Sequence, residues 1–220
     1  SVVSYIAGRA DLLSLFFILL SIILFYKFIE KKKTAYYILS LISASFALLS
    51  RENALLLFIF MALILYTLRP RLRYYLFILP FILLDLAYLF LRIYIFGYKG
   101  LYTHPDFLAF PLQLINFLAL ILKYILLLVM PLDLHLLRVT PFIKNIFEPK
   151  GICVLIFCTL YTLAFIKYRK KSVVFFSLLW FFLGLFPVLF YLDGFPLFKQ
   201  AMMAESWAYL AGTGFFIILA

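Results

Sequence analysis

The chain is built from long apolar runs, separated by short polar or charged breaks. A bilayer core of about 30 Å requires about 20 residues of α-helix, because each helical residue advances the chain by about 1.5 Å. A membrane-spanning barrel would instead alternate apolar and polar residues. The sequence therefore predicts an all-α fold, a polytopic transmembrane bundle of about seven to eight hydrophobic helices. The runs are Leu12–Ile29, Thr34–Ser50, Asn53–Leu68, Tyr74–Phe96, Leu112–Met130, Gly151–Ile166, Ser172–Leu192 and Ser206–Ala220.

Composition excludes a soluble protein. Apolar residues make up 68% of the 220 residues and charged residues 13%, whereas soluble domains are about half apolar and about a quarter charged. A globule of this size has too little interior for so many apolar side chains. The net charge of +11 lies in short clusters between the apolar runs, which is typical of topology signals and not of a nucleic-acid surface.

Metal and disulfide chemistry find little support in the sequence. Cys153 and Cys158 lie in one apolar run and are too few for a disulfide framework or a metal site. His104 and His135 are single loop histidines, so no metal site is assigned. The sequence contains no phosphate-binding glycine loop and no Ser/His/Asp order.

The ends of the sequence predict a single transmembrane domain, residues 1–220, truncated at both ends. Ser1 is not an initiator methionine, and the last apolar run stops at Ala220 without a flank. We therefore interpret the chain as a segment of a longer protein. Outer loops are expected at about 97–111, 131–150 and 193–205.

The stretch from Thr34 to Leu68 is interrupted only by Arg51 and Glu52. As one helix it would be about 50 Å long, which exceeds the thickness of the hydrocarbon core. We therefore predict a helical hairpin with Arg51 and Glu52 at its apex, near water.

Three basic clusters predict the orientation in the membrane. They lie around Lys31, Arg71 and Lys170 and hold eleven of the 20 lysines and arginines. The positive-inside rule places them on the cytoplasmic side. Most acidic residues then lie on the outer face, and we expect the chemistry there. The charged residues expected on that face are Arg9, Asp11, Arg51, Glu52, Arg92, Asp193 and Glu205.

The run Leu112–Met130 breaks the alternation of sides. The preceding run exits on the outer face, and the next must start there to bring Lys167 to the cytoplasm. Either the run dips into the membrane and returns, or it lies along the interface, or one basic cluster violates the positive-inside rule. We favour the first two interpretations. The prolines that mark its flanks, and that disfavour continued helix, are Pro105, Pro111 and Pro131.

Asp85 and Lys123 are the charges that lie in the middle of apolar runs. A charge at the bilayer centre costs at least about 2.5–3.5 kcal/mol, so each one requires a reason. Their opposite signs favour an intramembrane ion pair between neighbouring helices. A proton or ion relay is the alternative.

Arg9, Arg51 and Arg92 converge on the outer face, where the positive-inside rule predicts few basic residues. A guanidinium group binds phosphate oxygens through two parallel hydrogen bonds, and an adjacent carboxylate holds it in place. A lipid phosphate or pyrophosphate is the natural ligand, and Asp11 and Glu52 are the expected orienting carboxylates. Arginines that only anchor helices to headgroups are the alternative interpretation.

Four segments carry a family resemblance. Val3–Leu13 reads Val-Ser-Tyr-Ile-Ala-Gly-Arg-Ala-Asp-Leu-Leu, and three later segments follow it in order, namely Ser50–Ala54, Lys123–Leu132 and Ala204–Phe215. Together they resemble landmarks of membrane O-mannosyltransferase-like proteins with tetratricopeptide repeats, which are class C glycosyltransferases. The chain departs from the family in having Arg51 for a lysine, Ser206 for a basic residue and Ala211 for a proline.

The resemblance implies an integral-membrane glycosyltransferase. Such an enzyme transfers a sugar, mannose among the candidates, from a polyprenyl-phosphate donor to an extracytoplasmic acceptor such as a protein hydroxyl or a glycan. It implies no certain cofactor, and a divalent metal is allowed but not required. The expected partners are membrane lipid, the lipid-linked sugar donor and the acceptor, without nucleic acid. The expected location is a bacterial inner membrane or the endoplasmic reticulum, with the active face extracytoplasmic.

The resemblance also implies roles for residues. A carboxylate would deprotonate the acceptor hydroxyl while cations stabilise the departing phosphate. That catalytic base is unknown and expected before Ser1, and tetratricopeptide repeats would follow Ala220. Donor-phosphate binding is assigned to Arg9, Arg51 and Arg92. Supporting carboxylates are Asp11, Glu52 and Glu205, and candidate sugar or acceptor contacts are Tyr5, Trp207 and Tyr209.

Two other functions compete with the transferase. A transporter or flippase of a lipid-linked sugar would need the same outer arginines, but it should also show inverted repeats and broken helices near the midplane. The sequence shows no convincing internal repeat. A non-catalytic membrane scaffold, whose outer charges only solvate loops, is the third interpretation.

Overall fold

The computed structural model of the chain describes residues 6–68, 71–95, 110–130, 137–143, 145, 147–168, 172–191 and 200–219. They belong to two compact units, Ser1–Gly100 and Leu101–Ala220. Each unit has its own packed interior and is described by itself.

Helices form where the apolar runs predict them, so the predominantly helical fold is confirmed. The helices are α1 (Ile6–Lys31), α2 (Thr34–Ser50), α3 (Leu57–Leu68), α4 (Leu79–Phe90), α5 (Phe110–Val129), α6 (Pro149–Tyr168), α7 (Ser172–Leu185) and α8 (Ala208–Leu219). Tighter 3₁₀ segments precede α3, α4 and α8 and follow α7; they are Glu52–Leu56, Leu72–Ile78, Glu205–Trp207 and Phe186–Tyr191. A π-helical segment, Leu91–Ile95, follows α4.

Four helical stretches among the described residues are long and apolar enough to cross a membrane. They are Gly8–Lys31, Leu72–Ile95, Leu112–Val129 and Pro149–Tyr168. Three further apolar helices are shorter, namely Thr34–Ser50, Glu52–Leu68 and Val173–Leu185. Large apolar side chains such as Leu49, Leu76 and Leu160 are mostly exposed on these helices, which is the surface that a lipid solvent favours. The larger number of crossings, seven to eight, stays a prediction.

The run Leu112–Met130 does not dip into the membrane and return, so that interpretation is wrong. It forms one continuous helix, α5, of 20 residues, and the N–H of Met130 still donates to the carbonyl of Leu126 at 2.8 Å. Pro111 lies in the first helical turn, where a missing N–H removes no helical hydrogen bond. The length of α5 matches a single crossing of the hydrocarbon core.

In the first unit, α1 and α2 pack antiparallel along a stripe of small residues. The Ser21 hydroxyl donates to the carbonyl of Ser40 at 2.8 Å, and the Ser40 hydroxyl donates to the carbonyl of Ser21 at 2.7 Å. About one helical turn away, toward the start of α1, the Ser43 hydroxyl donates to the Phe17 carbonyl at 2.9 Å. Lipid supplies no hydrophobic drive between helices, so close backbone approach and such hydrogen bonds hold them together.

Aromatic rings join α4 to this pair at the Thr34 end of the unit. The rings of Phe25 and Phe81 meet edge to face at 5.7 Å, and the rings of Tyr37 and Phe77 lie 5.2 Å apart. The Tyr37 hydroxyl also donates to the Phe77 carbonyl at 3.1 Å. Because Phe77 lies in the 3₁₀ segment two residues before α4, these contacts fix the start of α4 against the start of α2.

The core of the second unit lies mainly between α5, α7 and α8. The hydroxyl of Tyr124 in α5 donates to the backbone carbonyl of Ala204 at 2.8 Å. The indole N–H of Trp180 in α7 donates to the carbonyl of Leu210, also at 2.8 Å. Their polar atoms are thereby satisfied inside an apolar interior. The fully buried apolar residues of this core include Phe117, Leu120, Ile121, Phe181, Leu185 and Ala211.

A two-stranded antiparallel sheet lies in segments that we predicted to be outer loops. Strands β1 (Leu137–Pro141) and β2 (Gln200–Ala204) pair with Leu137 opposite Ala204. An isolated pair of strands is marginally stable, and helices support this one. The amide of Asn116 in α5 accepts from the N–H of Ile143 at 2.8 Å and donates to its carbonyl at 3.1 Å.

Glycines let α7 and α8 approach closely. A Cβ atom at Gly184 would lie 2.8 Å from Cα of Ala211, and a Cβ atom at Gly214 would lie 2.8 Å from the carbonyl oxygen of Ser177. Both neighbours are backbone atoms, which yield only if the helices separate. Gly212 differs, because a Cβ atom there would meet nothing closer than 3.6 Å.

We expect Gly184→Ala and Gly214→Ala each to destabilise the second unit by about 1–3 kcal/mol, the usual cost of overpacking. Gly212→Ala is the matched control. It should be neutral or stabilising by up to about 1 kcal/mol, because alanine favours helix over glycine. Thermal unfolding of the purified variants in one detergent measures the difference. Equal stability of all three variants would contradict the role of close helix approach.

Candidate functional site

The chain breaks between α2 and α3 at the predicted apex, Arg51. This residue is extended, with φ −160° and ψ 143°, while its N–H still closes the last turn of α2 on Ala47 at 3.0 Å. Glu52 then opens the 3₁₀ segment that leads into α3. The break is therefore confirmed, and it places two side chains of opposite charge at one end of the first unit, which we call the Arg51 end.

An ion pair joins the start of α1 to this break. Nε of Arg51 lies 2.9 Å from Oδ1 of Asp11. Asp11 is only 6% exposed, whereas the Arg51 side chain remains about one-third exposed. A nearly buried carboxylate requires a partner, because its transfer from water is costly. Arg51 supplies that charge.

A second ion pair joins the break to the end of α4. Arg92 lies in the π-helical segment and contacts the carboxylate of Glu52. Its Nη1 also donates to the hydroxyl of Tyr88 at 3.0 Å, one turn earlier on the same helix. Arg92 is thus held on two sides, and π-helical segments of this kind are frequent at functional sites.

Arg9 lies in the first turns of α1, close in sequence to Asp11, and its side chain is exposed. The structure therefore brings Asp11, Arg51, Glu52 and Arg92 together and places Arg9 on the same helix as the first of them. We call the four joined residues the apex cluster.

The apex cluster can hold a phosphate by its guanidinium groups. Among the described residues, Arg51 meets a carboxylate through Nε, which leaves its Nη1 and Nη2 edge for a second anion. That edge carries parallel N–H donors that match two oxygens of a phosphate. Because each arginine is paired with a carboxylate, the cluster itself carries no net charge.

Glu205 belongs to the second unit and has a different partner from those in the apex cluster. It is 9% exposed, and its Oε1 lies 3.8 Å from Nη2 of Arg138 on β1. Trp207 packs partly against the apolar core of this unit. Tyr209, on α8, is half-buried. Glu205, Trp207 and Tyr209 thus lie next to the two-stranded sheet along the chain.

Two residues of these sites, Tyr88 and Arg138, were not predicted from the sequence. Tyr88 carries a readable signal, because it lies four residues before Arg92 and such residues are neighbours on one helical face. No local sequence signal marks Arg138, because its approach to Glu205 depends on the pairing of two strands that are far apart in sequence.

Asp85 and Lys123 lie in different units, so their pairing stays a prediction. Within the first unit, Asp85 is 7% exposed, and its Oδ2 has no hydrogen-bond partner among the described residues. Within the second unit, the Lys123 side chain is exposed.

Several predicted residues lie outside the described part of the chain. They are Tyr5, His104, His135 and Asp193. Cys153 is exposed and Cys158 half-buried, both as free thiols. Within the described ranges, no group of three His, Cys, Asp or Glu side chains could hold a metal ion.

No known protein family, curated protein or solved structure matches the chain.

Arg51→Met should destabilise the first unit more than Arg92→Met does. Removing Arg51 takes a partner from the nearly buried Asp11, and we expect a loss of about 2–3 kcal/mol, below the usual range for a fully buried pair because Arg51 is partly exposed. Glu52 stays partly hydrated, so the loss of Arg92 should cost about 1 kcal/mol or less. Unfolding in detergent measures both values.

The double variant Asp11→Asn, Arg51→Met is the control for this prediction. It leaves no unpaired carboxylate, so it should recover most of the stability lost in Arg51→Met. Two outcomes would contradict this prediction: equal losses of stability in Arg51→Met and Arg92→Met, or no recovery of stability in the double variant. Either would show that the burial of Asp11 does not determine how much the ion pair stabilises the unit.

Proposed function

We propose that the protein is an integral-membrane glycosyltransferase, which transfers a sugar from a polyprenyl-phosphate donor to an acceptor outside the cytoplasm. The observation that carries the proposal is the apex cluster, in which two carboxylates hold two arginines at one end of the first unit. The resemblance of Val3–Leu13 and of three later segments to class C glycosyltransferases supports the same activity.

The chemistry of sugar transfer explains why paired arginines suit this role. As the bond to the anomeric carbon breaks, negative charge grows on the departing phosphate. Donors already fixed in place stabilise that charge without reorganising during the reaction. Asp11 fixes Arg51, while Glu52 and Tyr88 fix Arg92. The carboxylates of the cluster act as positioning groups, and the base that activates the acceptor is not assigned to them.

Basic residues at the opposite end of the first unit support the proposed orientation. Lys31 lies over the ring of Tyr36 at 5.9 Å, and Arg73 lies over the ring of Tyr74 at 5.6 Å. Aromatic rings beside cations are typical of the boundary between membrane and water, and basic residues prefer the cytoplasmic side. In the proposed orientation the Arg51 end therefore faces outward, where the headgroup of a lipid-linked sugar can meet an acceptor.

Transfer of labelled sugar from polyprenyl phosphate by the full-length protein in liposomes tests the proposal. We expect Arg51→Ala and Arg92→Ala each to lower turnover by about 100-fold or more, the usual cost of removing one transition-state donor. Arg73→Ala is the matched control, because it removes an exposed arginine from the opposite end of the unit. It should leave turnover within about twofold of the wild type.

Undiminished transfer in Arg51→Ala and Arg92→Ala would overturn the role of the apex cluster. If the wild-type protein transfers none of the sugars supplied, the proposed transferase activity is wrong. If the protein is a scaffold, the wild type transfers no sugar. None of the arginine variants then changes lipid binding.

A transporter or flippase of a lipid-linked sugar is the second candidate, and Asp85 favours it. Asp85 is nearly buried, and its Oδ2 has no hydrogen-bond partner among the described residues. A carboxyl group of this kind at membrane depth is typical of ion-coupled transport. Transport of the labelled lipid across liposomes separates the two functions. Asp85→Asn should abolish transport if this candidate holds, whereas the transferase predicts product formation without net translocation.

A further inference from the structure

The start of α6, which carries Lys150, lies beside the end of α7. The rings of Phe165 and Phe175 lie 4.7 Å apart, near the end of α6 and the start of α7. One turn earlier in α6, the hydroxyl of Tyr161 donates to the carbonyl of Leu178, which lies further along α7. The two helices are therefore antiparallel, and Lys150, the second residue of α6, lies at the end where α7 finishes.

Lys123 lies at that same end of the second unit, although it belongs to α5. Helix α8 runs antiparallel to α7, as the contacts of Gly184 and Gly214 show, so the chain just before α8 also lies beside the end of α7. That part of the chain contains Ala204, whose carbonyl accepts from the hydroxyl of Tyr124 at 2.8 Å. Tyr124 is the neighbour of Lys123 in α5. The two lysines therefore share one end of the unit, and they are close enough for their charges to repel each other.

Neither of these lysines forms an ion pair within the described part of the chain. The described carboxylates of this unit are Glu148, whose side chain is exposed, and Glu205, which pairs with Arg138. The apex cluster is built differently, because each of its arginines has a carboxylate beside it. Two cations that repel each other on apolar helices require an anion to offset their charge.

The surroundings of the two lysines are those of a surface in contact with lipid. Lys123 and Lys150 are both exposed. Leu126, one turn after Lys123, is 57% exposed, and Ile152, just after Lys150, is 46% exposed. Only 11% of the apolar stretch of α6 is buried within the protein. An anion that meets both lysines here is therefore one that the surrounding bilayer supplies, with its apolar chains lying against α6.

We propose that Lys123 and Lys150 bind the phosphate of an anionic phospholipid from the bilayer. Lys123 lies about 9 Å before the end of α5 at Val129, and a lysine side chain can extend from that depth to the level of the headgroups. Each ammonium group offers three N–H donors and a full charge, and basic residues between membrane helices bind lipid headgroups in this way. The proposal competes with the predicted pairing of Lys123 with Asp85, because a lysine that binds a phosphate does not need that carboxylate.

Photolabelling in nanodiscs tests the proposal. The full-length protein is placed in phosphatidylcholine with a small share of phosphatidylglycerol that carries a diazirine near its glycerol, and labelled peptides from the start of α6 are identified by mass spectrometry. Competition by unlabelled phosphatidylglycerol gives the fraction of this lipid that half-saturates the site. We expect that fraction to rise about fivefold in Lys123→Gln and in Lys150→Gln, the usual effect of losing one lysine near an anionic membrane surface.

Two further variants are the controls for this measurement. Lys123→Arg keeps the charge, so its half-saturating fraction should stay within about twofold of the wild type. Lys167→Gln is the matched control for the glutamine variants, because it removes an exposed lysine from the other end of α6. It should label at the start of α6 like the wild type. If Lys123→Gln and Lys150→Gln also label like the wild type, the proposal is wrong.

Three other molecules establish which anion occupies the site, and each can overturn the proposal. Diazirine-bearing phosphatidylcholine that labels the start of α6 as strongly as phosphatidylglycerol would identify the occupant as bulk lipid. Inorganic phosphate that displaces the label at constant ionic strength would identify a site for free anions. Polyprenyl phosphate that competes better than phosphatidylglycerol would assign the two lysines to the lipid-linked donor. We expect weak competition from the last two and weaker labelling by the first.

Asp85→Asn separates the proposal from an ion pair between Asp85 and Lys123. It should leave the half-saturating fraction of phosphatidylglycerol within about twofold of the wild type, and a larger change would show that Lys123 pairs with Asp85 and overturn the proposal. Thermal unfolding in detergent should be the same for Lys123→Gln and Lys167→Gln. A loss of labelling confined to variants that unfold early would also overturn it.

Discussion

The ion pair between Asp11 and Arg51 is the contact on which the charged end of the first unit depends. Asp11 is nearly buried at the start of α1, and Arg51 occupies the extended residue where α2 ends. A carboxylate in that position is stable only with a cation beside it. The pair therefore fixes the break in the chain against α1. Because Glu52 is the next residue, the same contact sets where Glu52 stands and so where Arg92 can meet it. Two neighbouring residues, Arg51 and Glu52, thus set the positions of α1, α2 and α4 relative to one another.

Both units hold their helices together without the hydrophobic effect that operates in water, and they do so with different residues. In lipid, apolar side chains gain nothing by leaving the solvent, so association depends on close packing and hydrogen bonds. The first unit uses serines, whose hydroxyls cross between α1 and α2 at Ser21 and Ser40. The second unit uses glycines, which bring α7 and α8 within backbone contact at Gly184 and Gly214. Rigid helix pairs of either kind can hold a charged or apolar site at fixed geometry.

The sequence predicted what depends on local pattern and missed what depends on distant pairing. Apolar runs located every described helix, since hydrophobic length is local, and Arg51 and Glu52 marked the break between α2 and α3. Asp11 and Glu52 each form an ion pair with an arginine, but the sequence pattern could not tell which carboxylate meets which arginine. The sheet of β1 and β2, and the approach of Arg138 to Glu205, join segments about 60 residues apart. The predicted return of the chain within Leu112–Met130 is wrong, because Pro111 lies in the first turn of α5, where a proline leaves the helix continuous.

Charge balance at the apex cluster has a consequence for the proposed donor. Two guanidinium groups and two carboxylates sum to zero, so the cluster exerts little long-range attraction on anions. Such a cluster orients a phosphate by directed hydrogen bonds and gives it little affinity. In the proposed complex the affinity must therefore come from another part of the ligand, which is its apolar chain. This division discriminates against free phosphate and nucleotides, which lack the chain, and against neutral lipids, which lack the phosphate. A site made only of unpaired arginines would bind all anions and select none.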